Sequence, residues 1–223
     1  MKVGMILDAI YPRDARVTNE CEELIKNGHE IYLFCLSYQK NYIKSEIIND
    51  IKVRRYYCSS LIYKLSALAN DFPFYSISMK SKIKDFVLKN SIDKVHIHDI
   101  QIAKAAVAVC RKNNLKYILD LHENRHEIMK FYKHVNSFFG KVLISVKRWK
   151  KAEEKYVSMA EKVIVVTNQA KREIIERCKI SNDNVVVYPN TVRKSFYQNK
   201  DYDQVLKKKY SKNYVLLYVG NTS

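Results

Sequence analysis

Short, mostly apolar runs recur along this chain, most of them separated by segments with helical patterning, and this alternation limits the fold more than any other feature. The first run, KVGMILD at residues 2–8, precedes a segment at 16–27 in which Val17, Cys21, Leu24 and Ile25 repeat at helical spacing. Gly28, a residue type favoured just past a helix end, stands before the second run, EIYLFCL at 30–36. The chain therefore opens as a βαβ unit. Further strands are predicted at 51–57, 94–98, 117–121, 162–166 and 184–188, with helices at 75–90, 102–112, 138–160 and 169–178. Residues 61–74 are apolar and aromatic without a clean period and are expected to be irregular or partly helical. Strands that are apolar throughout, rather than on alternate residues, belong to parallel sheets covered on both faces. The predicted fold class is α/β: a Rossmann-like, doubly wound, mostly parallel sheet with helices on both faces.

The rhythm breaks at Pro189-Asn190-Thr191. A polar Lys/Tyr-rich stretch follows, with a short helix predicted at 203–209, and then an apolar run, YVLLYV at 214–219, which ends in a Gly turn. The expectation is one domain over 1–192, followed over 193–223 by a linker and the first strand of a second, truncated domain.

Ligands of an open parallel sheet bind beyond the carboxyl ends of its strands. Here those ends carry Asp8 to Arg16, His98-Asp99, His122-Glu123, Thr167-Asn168 and Asn190. Near its unperturbed pKa of about 6.5, a histidine such as His122 suits proton transfer or donation to a developing charge; capping or packing in the loop is its structural alternative. Arg13 or Arg16, in the turn after Pro12, is placed to fork onto a phosphate or carboxylate; the alternative is a solvated arginine paired with Asp14. His96 and His98 lie two apart on a strand and so share a face. Without a third convergent ligand the pair does not make a metal site. The expectation is that His96 packs inside and His98 reaches the crevice.

Several function classes fall away. The chain has 223 residues and only 4 Gly, with no G-x-G-x-x-G fingerprint and no Walker lysine loop, which argues against a dinucleotide oxidoreductase or a P-loop enzyme. Forty Lys and Arg against 23 Asp and Glu give a net charge of +17, attractive to phosphates in general. No RNP-like motif, zinc-finger spacing or base-reading basic helix accompanies that charge, so nucleic acid is not an expected partner. The five cysteines are scattered, with no C-x-x-C pair, as free thiols of a reducing compartment would be, and a cytoplasmic location is expected. In the 138–156 segment Phe138, Val142, Val146, Trp149, Ala152 and Tyr156 fall on one side of a helix, with Lys141, Lys147, Arg148, Lys151 and Lys155 opposite. That basic face is expected to give peripheral attraction to an anionic membrane.

Six motifs in order carry a family resemblance. YPRDARVTNECEELIKNGHEIYLF, HIHDIQIA, ILDLHE, EKYVSMAEKVIVVTNQAKREI, NVVVYPN and YVLLYVGNTS resemble, along nearly the whole chain, the N-terminal half of a GT-B glycosyltransferase of the family-4 (group 1) type. The resemblance implies two Rossmann-like domains facing across a cleft, the first receiving the acceptor (a glycan or a lipid-linked sugar, as in cell-surface polysaccharide synthesis) and the second holding a nucleotide-sugar donor. By matching positions it makes His122 the histidine near the transferred sugar, supporting the transition state rather than acting as nucleophile. It places the loop with Asp8, Pro12, Arg13 and Arg16, together with His98, Asp99 and Glu123, along the cleft, and Asn190 at the interdomain crossover. It implies neither metal nor cofactor beyond the nucleotide-sugar substrate. The first loop lacks the glycines many members carry, and the donor domain's E-x7-E region is absent from this sequence, so the chain alone is expected to be inactive. A sugar-nucleotide epimerase of the same two-domain plan and a non-catalytic Rossmann-like binding module are the alternatives.

Overall fold

The computed structural model describes residues 1–192 and 203–217. The chain divides into two compact units, Met1–Asn190 and Thr191–Ser223. The first begins with β1 (Lys2–Leu7), α1 (Ala15–Lys26), β2 (Glu30–Ser37), β3 (Ser45–Ile48) and β4 (Ile51–Tyr57). It continues through α2 (Ser60–Lys64), a 3₁₀ turn at Leu65–Leu68, α3 (Phe74–Asn90), β5 (Lys94–His98), α4 (Ile100–Lys112) and β6 (Tyr117–Leu121). Then come three short helices, α5 (Arg125–Ile128), α6 (Lys133–Asn136) and α7 (Phe138–Leu143), before α8 (Val146–Met159), β7 (Lys162–Val165), α9 (Asn168–Cys178) and β8 (Val185–Val187).

The strands form one eight-stranded sheet in the order β3-β4-β2-β1-β5-β6-β7-β8. All neighbours are parallel except β3 and β4. This is the α/β doubly wound class that the alternation predicts. Strand β3 is an addition: it pairs antiparallel with β4 through Asn49-Asp50, both at positive φ (48° and 64°). Asn and Asp tolerate that conformation best among residues with a Cβ. Half-exposed and only four residues long, β3 is itself the edge strand there, and its shortness limits what that edge can pair with.

Each face of the sheet has its own core, as period-two side chains require. Val3, Met5 and Leu7 of β1 join Leu33 and Cys35 of β2 against Val17 and Cys21 of α1. Ile6, Phe34 and Leu36 point the other way, into a larger cluster with Met79 and Phe86 of α3, Ile102 and Ala106 of α4 and Trp149 of α8. Gly4 is required by this packing, since a Cβ there would meet Ile92 and Phe86 at 2.9–3.1 Å. The Asp14 carboxylate caps α1 by accepting from the Val17 N–H at 3.1 Å, and Gly28 at φ 78° ends the turn that follows.

The helix predicted over 138–160 is two helices. Ile144 and Ser145 are extended between α7 and α8. The Asp71 carboxylate accepts from the Ser145 N–H at 3.3 Å and pairs with Arg148 at 2.9 Å, while the Ser145 hydroxyl caps α8. The predicted apolar stripe divides accordingly: Trp149 and Tyr156 are buried, whereas Phe138 and Val142 are 80% and 69% exposed.

In the second unit, α10 (Gln204–Lys209) is capped by Asp203. Tyr214–Leu217 carry no strand pairing, and residues 218 and 219 of the expected strand lie outside the described residues, as does 193–202 of the expected linker.

Candidate functional site

The chain leaves β1 toward β2 on one side and returns to β5 on the other, so a crevice opens where the winding reverses. Around it the structure assembles two adjoining polar clusters.

The first cluster lies under α1. His96 and His98 on β5, and Asp120 and His122 at the end of β6, project to the same side, with His98 and Asp120 side by side in the pairing register. The His96 and His98 rings stack with centroids 4.4 Å apart. Both histidines are buried, which corrects the expectation that His98 reaches the crevice: His98 Nδ1 lies 3.2 Å from His122 Nε2 and 3.5 Å from Asp120 Oδ2, beneath His122. His122 keeps 20% of its side chain exposed, and its Nε2 donates to Asp120 Oδ2 at 3.1 Å.

Arg16 holds this cluster from above. Its Nε donates to Asp120 Oδ2 at 3.0 Å and its Nη2 to Oδ1 at 2.8 Å. Nη1 donates to the Tyr188 carbonyl at 2.7 Å and to Asn190 Oδ1 at 3.1 Å, with the guanidinium 4.8 Å over the Tyr188 ring. The fork predicted for a ligand thus closes on the chain's own Asp120, because Arg16 faces inward from the first turn of α1. One turn on, Glu20 lies 3.2 Å from the same guanidinium. Burial opposes charge on Asp120, yet hydrogen bonds from His122, His98 and Arg16 outweigh it and hold the carboxyl well below the usual range. Burial, then the Asp120 charge, pushes Glu20 up to about 9. Burial lowers both His96 and His98. For His122 burial works in the same direction, but the hydrogen bond and charge of Asp120 win and raise it.

The second cluster lies toward α3 and α4. The Tyr75 hydroxyl donates to Asp8, and burial pushes the Asp8 carboxyl up to about 7. Asp99 caps α4 at φ 72°, ψ 154°, a region nearly reserved for glycine. Strain of that kind persists where surrounding structure fixes it, and functional sites are where it concentrates. Arg125 bridges Glu123 and Gln101, whose amide donates in turn to Ser66.

Of the residues singled out from sequence, His98, His122 and Arg16 therefore meet at Asp120, Asn190 is held by Arg16, and Asp8, Asp99 and Glu123 gather beside them. Pro12, after a cis peptide, and Arg13 stand exposed on the loop rim. Asp14 serves as the helix cap instead of holding Arg13. Sequence reasoning passed over Asp120, Glu20, Tyr75 and Arg125. Asp120 carried a usable signal, since it lies two residues before His122 and so on the same strand face.

A sequence model of the family described as Glycosyltransferase Family 4 matches residues 15–196. Among curated proteins, the phosphatidylinositol N-acetylglucosaminyltransferase GPI3 subunit of Saccharomyces cerevisiae (strain YJM789) is 21% identical over 222 residues, 97% of this chain and 45% of that protein. Among solved structures, the sucrose-phosphate synthase of Thermosynechococcus elongatus superposes with a TM-score of 0.62 at 15% identity, over 86% of this chain and 49% of the other. The E. coli trehalose-6-phosphate protein solved bound with UDP-2-fluoro glucose gives a TM-score of 0.62 at 12% identity, over 95% and 54%. The chain thus spans about half the length of the proteins it matches.

Proposed function

Because this chain belongs to Glycosyltransferase Family 4, we propose that it forms the acceptor-side half of an enzyme that moves a sugar from a nucleotide-sugar donor to a glycan or lipid-linked acceptor. The observation that carries this reading is His122: partly exposed at the tip of β6, and made more basic by the buried Asp120 behind it. Its ring supports the developing charge near the transferred sugar by hydrogen bonding, while Asp120 fixes the ring's orientation. Asp8, Asp99 and Glu123 line the acceptor side. Asn190, held by Arg16, marks where the chain leaves this unit. The donor nucleotide falls to residues outside 1–190. The yeast relative's name supports an acceptor with a lipid anchor and makes N-acetylglucosamine the first sugar to try.

The test uses the protein expressed from its complete reading frame. Sugar transfer to lipid-linked acceptors is expected, and His122→Ala should lower kcat about 100-fold, within the usual span for a positioned acid-base group. Donor KM should change little. Acceptor-independent epimerisation of the nucleotide sugar would overturn the reading, and binding with no turnover would favour a non-catalytic module.

The membrane contact is proposed at α7 and the start of α8. Phe131, Phe138 and Val142 are more than two-thirds exposed on a segment that also presents Lys141, Lys147, Lys150 and Lys151 to solvent. Each basic residue near an anionic surface contributes about 1 kcal/mol, and inserted apolar side chains add to it. In vesicle sedimentation, phosphatidylserine vesicles should retain the protein and neutral ones should not. A Phe138→Asp, Val142→Asp double variant should bind about 10-fold more weakly, given the modest energy of partial insertion. Equal retention on both vesicle types would sink the idea.

A further inference from the structure

Beneath His122, four side chains from three elements converge: Glu20 of α1, His96 and His98 of β5, and Asp120 of β6. One ligating atom from each lies within 4.8 Å of the others, and all four residues are buried. His96 Nε2 is 3.7 Å from Glu20 Oε2 and 3.9 Å from Asp120 Oδ2. His98 Nδ1 is 3.9 Å and 3.5 Å from the same two oxygens. A tetrahedron with metal–ligand bonds of about 2.0–2.1 Å has edges of about 3.3 Å. These four edges exceed that by about 0.2–0.6 Å, and with all four atoms within 4.8 Å of one another the site has to contract around the ion as it binds.

A second observation points to a missing ligand. Both Glu20 carboxylate oxygens and His96 Nε2 are buried without a hydrogen-bond partner among the described residues. Buried polar atoms of that kind are rare in folded proteins and call for an explanation. Arg16 Nε reaches Glu20 Oε1 only as an ion pair, and its better-aligned bonds go to Asp120. A way in also exists: a cavity of about 400 Å³ on this face of the sheet is lined by Glu20 and His96, together with Ile118, Ile164, Val186 and Tyr188.

We propose that Glu20, His96, His98 and Asp120 form a four-coordinate site for a divalent cation of the zinc class. Two imidazoles and two carboxylates suit zinc, whereas magnesium and calcium prefer all-oxygen shells with more ligands. Arg16 then acts from outside the shell, orienting Asp120 as outer partners of ligating carboxylates do. The bound ion ties α1 to the centre of the sheet and fixes the acid on which His122 rests. The site adjoins the sugar-transfer reading through Asp120, but its test reads metal alone, so either can fail without the other.

The test reads metal directly and needs no turnover. The 223-residue chain is stripped with chelator and titrated with cobalt(II), then with zinc. Expected are the intense visible bands of four-coordinate cobalt, saturating at one equivalent and abolished by one equivalent of zinc. Glu20→Gln and His96→Gln should each weaken zinc binding by more than about 100-fold, since even outer-sphere changes cost 10–100-fold. His29→Gln, on the rim of the same cavity, should bind as the parent does. Folded parent protein that gives no bands, gives only weak six-coordinate bands, or binds one equivalent undiminished in both ligand variants would overturn the proposal. Should a variant fail to fold, the parent spectrum decides alone.

Discussion

Arg16→Met is expected to destabilise the protein by about 3–5 kcal/mol, the range seen when one partner of a buried ion pair is removed. Asp120 has no exposed side-chain surface, and Arg16 supplies its two shortest side-chain hydrogen bonds. The variant leaves that carboxylate ionised in a dry interior, and it also frees the Tyr188 carbonyl and Asn190, which Arg16 ties to α1. For a chain of this size the change corresponds to a fall in Tm of about 10 °C. Arg16→Lys keeps the charge but not the planar fork, so its loss should be intermediate. Adding Asp120→Asn to Arg16→Met removes the stranded charge. The double variant should therefore be more stable than the sum of the single losses predicts, by about 1–3 kcal/mol of coupling. Denaturant unfolding of the four proteins in chelator measures this, and additive losses would show that the pair is not a unit.

The same pair shows where reading the sequence succeeds and where it stops. Most strands came through because they are continuous apolar runs whose burial on both faces leaves its mark along the run; β5 and β6 are found where KVHIH and YILDL predict them. The residue types at their carboxyl ends were equally visible, and the chain order of the elements placed His98, Asp99 and His122 near one opening. What the sequence does not carry is which polar groups satisfy one another. Arg16 has a ligand's geometry until Asp120, 104 residues away, is brought under it. His96 and His98 look like a pair with no third partner until α1 lays Glu20 across them. The helix break at Ile144-Ser145 has the same origin. Its amphipathic pattern runs on unbroken, and the Asp71 carboxylate that stabilises the interruption lies 74 residues upstream. Strand β3 escaped notice for a different reason: half-exposed at the sheet edge, it carries too little apolar content to stand out.

Asp8→Asn is expected to stabilise the protein, and to do so only above acidic pH. Asp8 packs at the tip of β1 with Tyr75, Asp99, Gln101 and Arg125 as its polar surroundings, and burial raises its carboxyl from an ordinary 3.8 to about 7. The unfolded chain ionises there near 3.8, while the folded chain holds the proton until about 7. Between those values the native state binds more protons than the unfolded state, so stability must fall as pH rises. The contribution is fully present below pH 4 and is lost as pH climbs through 7. A shift of about three units corresponds to about 4 kcal/mol, an upper figure for so enclosed a group. Asparagine has nearly the same shape and no charge to desolvate, and its carbonyl can still accept from the Tyr75 hydroxyl. Parent and variant should therefore unfold at similar urea concentrations at pH 4.5 and diverge steadily toward pH 8, with the variant the more stable. A gap that stays constant over that range would show that Asp8 is not the titrating group. A natural sequence that retains an ionisable residue where its amide would be more stable is giving up stability for something the amide lacks. On the proposed acceptor-side reading, that something is a carboxyl group beside Asp99 able to gain or lose a proton near neutral pH. The whole protein carrying Asp8→Asn should accordingly be harder to unfold and slower in sugar transfer, a combination that a residue serving only the scaffold would not give.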